Sequence, residues 1–250
     1  MIERQLIVAH YQEDLTWLND LSIPTIIYSK GPDNTPGTIK LPNIGREAHT
    51  YLYHITTNYD NLAHLNYFIQ ADPFFHAPDI LARLIMPYRE TTPLTGCYHG
   101  DHDKAPVWAQ RLQAYYGYNT TLFKCDKWGR PYNNINVLHR RKPLAWVWSN
   151  LFTMPIPKGT EILWIPAAMM VVPQKRITDR PLAFYQKALE LVDHPSLIFK
   201  DWKAGKTKAG KIRKAGWHEG NRGAWIFEKL WYYIFNDVEF WPSNLNPITD

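Results

Sequence analysis

The chain opens on a short apolar run, Gln5 to His10 (QLIVAH), followed by Glu13 and Asp14 and then by Leu15, Leu18 and Leu21 at helical spacing. This predicts a strand and then a short helix. Pro24 to Ser29 (PTIIYS) predicts a second buried strand, closed by the Gly-, Pro- and Asn-rich stretch from Lys30 to Asn43, whose composition suits turns and a ligand-facing connection. From Arg46 onward, Ala48, Tyr51, Leu52, Ile55, Tyr59 and Leu62 recur with the period of one helix face, which predicts a helix of about four turns. Leu65 to Ile69 (LNYFI) reads as a third strand, ended by Gln70-Ala-Asp72-Pro73, with a further helix from Pro78 to about Met86.

The pattern then weakens. Residues 89–160 are rich in turn signals and scattered aromatics, so an irregular region is expected there, with one helix over Trp108 to Tyr116. Glu161 to Pro173 (EILWIPAAMMVVP) suggests one or two further buried strands. Thr178 or Asp179 can cap a helix whose inner face carries Leu182, Tyr185, Leu189 and Val192. Gly223 to Phe235 (GAWIFEKLWYYIF) closes the patterned part as a strongly apolar helix.

Strands alternating with helices at short intervals imply an α/β, Rossmann-like domain with a mostly parallel central sheet flanked by helices. No repeat or linker divides residues 1–250, so a single domain is expected: residues 1–88 a nucleotide-binding half, 89–160 an irregular insertion, and 161–250 an acceptor-side half. In such sheets ligands bind beyond the carboxyl ends of the strands, where strand order reverses. The loops after His10, Ser29 and Ile69 are therefore the ones to inspect.

Composition narrows the class. At 250 residues, with 45% hydrophobic, 14% aromatic and 20% charged residues, the chain is globular rather than disordered, collagen-like or coiled-coil. Cys97 and Cys125 are the only cysteines, too few and too far apart for a disulfide framework or a structural zinc. The longest apolar run, Ile162 to Pro173, falls short of the ~20 residues that span a bilayer, and the N-terminus lacks a signal-peptide pattern. A soluble, cytoplasmic protein with no membrane partner is expected.

The net charge of +5 is not spread evenly. Between Lys200 and Arg222 lie eight basic and two acidic residues, which leaves 20 basic against 21 acidic in the rest of the chain. This Gly-containing tract can hold a polyanion through Lys206, Lys208, Lys211, Arg213, Lys214 and Arg222, with Trp202 and Trp217 for stacking, or it is a solvated loop.

Four further groups carry candidate chemistry. Asn43-Ile-Gly-Arg-Glu47 lies at a loop-to-helix junction, where Gly45 can admit an anion to the helix N-terminus and Arg46 can clamp it; alternatively Asn43 caps the helix, and Arg46 and Glu47 are solvated first-turn charges. Gln70, Asp72, His76 and Asp79 suit a divalent cation carrying a diphosphate, with Asp72 and His76 as its ligands, or else they are turn and cap residues. The cluster from His99 to Asp103 reads as a polar loop or as the metal site of a phosphoesterase or nuclease. Glu228 lies in the apolar last helix near Trp225 and Trp231, where partial burial would suit a general base; alternatively it is paired on an exposed stripe with Lys229 or Arg222.

The blocks IVAHYQEDLTWL, LPNIGREAHTYLYHITTNYDNL, FIQADPFFHAPD, ITDRPLAFYQKAL and IFEKLWYYIF together resemble an uncharacterised domain-of-unknown-function family whose members look like sugar-nucleotide-dependent glycosyltransferases of the GT-A type. The resemblance implies a nucleotide-binding sheet, a metal-bound diphosphate at a DxD motif and a carboxylate base from a late helix. No DxD follows a strand here, and Gln70-Ala-Asp72 occupies the corresponding place. On this reading the chain moves a sugar from a nucleoside diphosphate sugar to a hydroxyl acceptor, a hydroxymethylated DNA base or a glycan. His10, Tyr11, Glu13 and Asp14 would lie near the nucleoside; Lys30, Asn43, Arg46, Glu47 and Gln70 near the donor diphosphate; manganese or magnesium, if used, at Asp72 and His76; and Glu228 would be the base. A metal-dependent phosphoesterase or nuclease, or a non-catalytic nucleic-acid-binding protein, are the alternatives.

Overall fold

The structure, a computed structural model, describes residues 2–32, 34–94, 143–153, 168–194 and 219–235. Six strands are present among them: β1 (Arg4–His10), β2 (Thr25–Ser29), β3 (Ile39–Lys40), β4 (Leu65–Gln70), β5 (Thr92–Pro93) and β6 (Met170–Pro173). The helices are α1 (Arg46–Asn58), α2 (Ile80–Leu84), α3 (Pro143–Leu151), α4 (Gln174–Thr178), α5 (Leu182–Asp193) and α6 (Glu219–Phe235).

The strands form one sheet in the order β3-β2-β1-β4-β6-β5. β1 runs parallel to β2 and to β4, and β2 parallel to β3, whereas β6 is antiparallel to both β4 and β5. The expected mostly parallel sheet is thus corrected to a mixed one. The alternation of strand and helix that implies parallel pairing stops at β4, and β6 returns along β4 with Leu65 opposite Pro173 and Phe68 opposite Met170. β5 is two residues long and contains Pro93, which an edge strand tolerates and which leaves no alternating pattern to detect.

Both faces of the central strands are buried, which is why β1 and β4 read as nearly continuous apolar runs. Ile7, Phe68, Met170 and Val172 face the layer built by α1, α3, α5 and α6. Leu6, Val8, Tyr67, Ile69 and Val171 face the other way, onto α2 and the segment carrying Trp17 and Leu18. Period-two alternation along each strand makes this three-layer arrangement.

Several local expectations are revised. The short helix after Asp14 is a 3-10 turn, Thr16–Asp20, and the loop before α1 contains β3. Residues 89–160 include two regular elements, β5 and α3, whose Val147, Trp148 and Leu151 are buried. Thr178 and Asp179 do not cap α5, because they belong to the end of α4: the Thr178 hydroxyl donates back to Gln174 O and Asp179 pairs with Lys175 at 2.6 Å. α5 starts after Pro181 with no side-chain cap, and α6 begins a turn earlier than its apolar pattern. No helix among the described residues is long and apolar enough to cross a membrane. Cys97, Cys125, the cluster from His99 to Asp103 and the proposed helix over Trp108 to Tyr116 lie outside the described residues.

Candidate functional site

The carboxyl ends of three strands lie on one line: the register places His10 opposite Ser29 and Ala9 opposite Gln70. The chain runs outward from β1 to β2 and β3 on one side, then crosses to β4 on the other, so strand order reverses between β1 and β4. A ligand crevice is expected at that reversal. A cleft of about 390 Å³ opens there, within the range of small-molecule sites, roughly 300–1,000 Å³. Ala9, His10, Tyr11 and Glu13 come to it from the end of β1, Lys30 from β2, Asn43 from the connection, Arg46, Glu47 and Thr50 from α1, and Gln70 from β4. All the donor-side residues singled out in the sequence, except Asp14, are therefore brought together, and Ala9 and Thr50 join them.

The loop after β1 is tied to the sheet by its own polar groups. His10 is buried, with Nε2 donating to Glu13 O at 3.2 Å, since a carbonyl needs a donor, and Nδ1 in hydrogen-bond contact with Ser29 Oγ at 3.0 Å. The Glu13 carboxylate accepts the backbone N–H of Tyr11 at 2.7 Å and of Gln12 at 3.1 Å. Gly31 brings the β2 loop against this one: a Cβ there would lie 1.8 Å from Tyr11 O. Asp14 is elsewhere, exposed and binding the N–H and hydroxyl of Thr16, whose bonds hold its carboxyl below the usual range. It holds Thr16 at the start of the 3-10 turn and is not among the residues lining the cleft.

The turn into α1 differs from both sequence readings. Asn43 is not the cap; the N-cap is Gly45, in the left-handed region at φ 60°, with no side-chain cap bond. Its missing Cβ faces protein and not an anion, for a methyl there would stand 2.1 Å from Val192 Cγ1 and 2.8 Å from His49 Cβ. Arg46 follows at φ 47°, unusual for a non-glycine residue. Lys30 reaches under this turn, its Nζ donating to Ile44 O at 2.7 Å and to Arg46 O.

Ionisable groups whose charges act on one another gather around Lys30. Burial pulls the Lys30 ammonium down to about 7, opposed by the charges of Glu47 and Asp193. Burial also raises the Glu47 carboxyl; Arg46, with Nε 3.6 Å away, and Lys30 draw it back, and the charge of Glu228 pushes it further up. Asp193, at the end of α5, is likewise raised by burial. His49 is held at about 3 by burial and then by the Lys30 charge, so its Nε2, 3.2 Å from Asp193 Oδ1, belongs to a neutral ring.

Glu228 does not line the cleft, but it lies close enough for its charge to act on Glu47, which does. It is neither on an exposed stripe nor deep in the core: its side chain is 13% exposed, with Oε2 3.7 Å from Lys229 Nζ.

Asp72 is exposed just past β4, and Asp79 makes a bidentate bond to Arg83 at 2.8 and 2.9 Å in place of a cap or a metal contact. His76 packs edge-on against Phe75. No group of three or more His, Cys, Asp or Glu suited to a metal ion occurs among the described residues. Trp202, Lys206, Lys208, Lys211, Arg213, Lys214 and Trp217 lie outside the described residues, and the backbone of Arg222 falls in the first turn of α6.

The sequence reading missed Thr50, His49 and Asp193. Asp193 had a signal: a carboxylate in the last turn of a helix opposes the helix dipole, which asks for a tertiary reason. Thr50 and His49 had none, because they lie one turn into a helix whose apolar stripe already explained it.

Residues 6–83 match the family model described as "Protein of unknown function (DUF3431)". The match runs from β1 into α2 and contains every residue that lines the cleft, while Glu228 lies beyond it. No curated protein and no solved structure matches the chain.

Proposed function

We propose that the chain is a glycosyltransferase that takes a nucleoside diphosphate sugar in the cleft between β1, β2, β4 and α1 and passes the sugar to a hydroxyl acceptor. The observation that carries this is the position of the cleft, at the reversal of strand order, with one cation from β2 and another from the first turn of α1. A diphosphate placed there faces Arg46, with the charge of Lys30 behind it and the open end of the α1 dipole beside it. Tyr11, 43% exposed at the end of β1, offers a ring to the base.

In an inverting transfer, Glu228 takes the proton of the acceptor hydroxyl as that oxygen bonds to the anomeric carbon. The bond from that carbon to the diphosphate breaks, and its electron pair leaves with the nucleoside diphosphate. The coupling between Glu228 and the cleft-lining Glu47 supports this assignment. A GT-A-like arrangement of donor and base is part of the proposal, and the acceptor side falls to the segment between Lys200 and Arg222.

A thermal-shift screen of nucleoside diphosphate sugars, with and without manganese, tests donor class and metal use together. At least one donor should raise the melting temperature in a concentration-dependent way. No shift with any of them sinks the transferase reading.

A further inference from the structure

We infer that Lys30 is a positioning residue and not a phosphate ligand: its ammonium pins the left-handed turn at Gly45 and Arg46 and so aims the Arg46 guanidinium into the cleft. The inference rests on the diphosphate reading above. Lys30 Nζ donates to Ile44 O and Arg46 O, the carbonyls on either side of Gly45, so two of its three protons are spent on the turn. The residue is 7% exposed, its stem laid under the loop. Gly45 takes its φ of 60° without cost, but Arg46 at 47° has to be held there by its surroundings.

The two cations divide the work. Arg46, with a side chain 55% exposed, is the one that can meet a ligand, and a planar guanidinium suits a diphosphate better than a buried ammonium does. Thr50 supports a ligand at this stretch of α1 independently. It is fully buried, lines the cleft one turn after Arg46, and its hydroxyl has no hydrogen-bond partner among the described residues. A buried hydroxyl left unpaired is costly, and a phosphate or sugar oxygen would satisfy it.

Calorimetric titration of the full chain with UDP, GDP, ADP and CDP, through the double-mutant cycle of Lys30→Met and Arg46→Ala, tests the inference. Arg46→Ala in the wild-type background should weaken the best-bound nucleotide about tenfold or more. In the Lys30→Met background the same change should cost less than about twofold, because the guanidinium is already misaimed. Multiplicative losses, or no loss from Arg46→Ala alone, overturn the inference while leaving the diphosphate reading in place. Binding of none of the four by the wild type overturns both. Should Lys30→Met fail to fold, a crystal structure of the wild type with a nucleoside diphosphate decides. Lys30 Nζ should remain on the two carbonyls, with an Arg46 nitrogen within hydrogen-bond distance of a phosphate oxygen. A phosphate oxygen bonded to Lys30 Nζ overturns the inference.

Discussion

Gly45 and Val192 fix the distance between α1 and α5: a methyl added at Gly45 would stand 2.1 Å from Val192 Cγ1. The same glycine sits at φ 60°, where a side chain is also disfavoured. Gly45→Ala should therefore cost about 2–4 kcal/mol in a urea titration, from overpacking together with backbone strain. Gly37 is the control. It has φ 74° but nothing within 4 Å of an added methyl, so Gly37→Ala should cost only about 1 kcal/mol. Equal costs would show that helix packing does not depend on Gly45.

Arg180 ties the end of α6 to the body. Its Nε and Nη2 donate to Ile234 O and Tyr233 O, each at 2.7 Å, and its guanidinium lies over the rings of Phe152 and Phe184. Arg180→Ala should cost about 3 kcal/mol, against about 0.5 kcal/mol or less for Lys175→Ala, which removes an exposed pair with Asp179. A chemical-denaturation comparison of the two variants checks the difference.

Stability should rise with pH across two windows. His49 and His54 are depressed by burial to about 3 and about 4, from an ordinary 6.5, so the unfolded chain binds their protons first and the native state loses stability as pH falls below 6.5. Lys30, depressed to about 7 from 10.5, acts alike at higher pH: between 7 and 10.5 the unfolded state holds more protons, and stability increases as pH rises. The urea midpoint followed from pH 4 to 10 reads both windows. Lys30→Met should flatten the upper one and leave the lower; an unchanged upper slope would contradict the burial of that ammonium.

Glu228→Gln keeps size and polarity but removes the carboxylate proposed as the base. Transfer should be abolished, while the donor dissociation constant measured by calorimetry changes by less than about threefold. Full activity in this variant would take Glu228 out of the mechanism.

The basic tract from Lys200 to Arg222 gives the proposed acceptor side a salt signature. If a DNA base is the acceptor, duplex binding in a gel-shift series should weaken as salt rises, with a log–log slope of about −0.9 for each phosphate contacted. Deleting part of the tract should remove that binding and spare the donor. Binding indifferent to salt, or none, would point to a glycan or small-molecule acceptor.

Much of residues 1–88 was legible along the chain. β1, β2, α1 and β4 follow from apolar runs and a helical stripe because each element buries most of what it carries, and the loops at their carboxyl ends hold His10, Tyr11, Glu13, Lys30, Asn43, Arg46, Glu47 and Gln70 together in the folded cleft. What these side chains do there was not legible. Gly45 admits a neighbouring helix instead of an anion, Lys30 bonds to backbone, and Asp14 bonds to Thr16, since each role depends on a partner 2 to 147 residues away in sequence.

By itself, then, the sequence determined that the chain is an α/β protein and where its first four buried elements lie, because burial writes a period into every element it shields, and it pointed to the loops that meet at the cleft. Only the tertiary structure decided that β6 runs against β4 to make the sheet mixed, that Glu228 lies near Glu47, and that Asp193 and His49 come within reach of the Lys30 charge. Strand direction and the meeting of charges arise between elements far apart in the chain, and no local pattern records them.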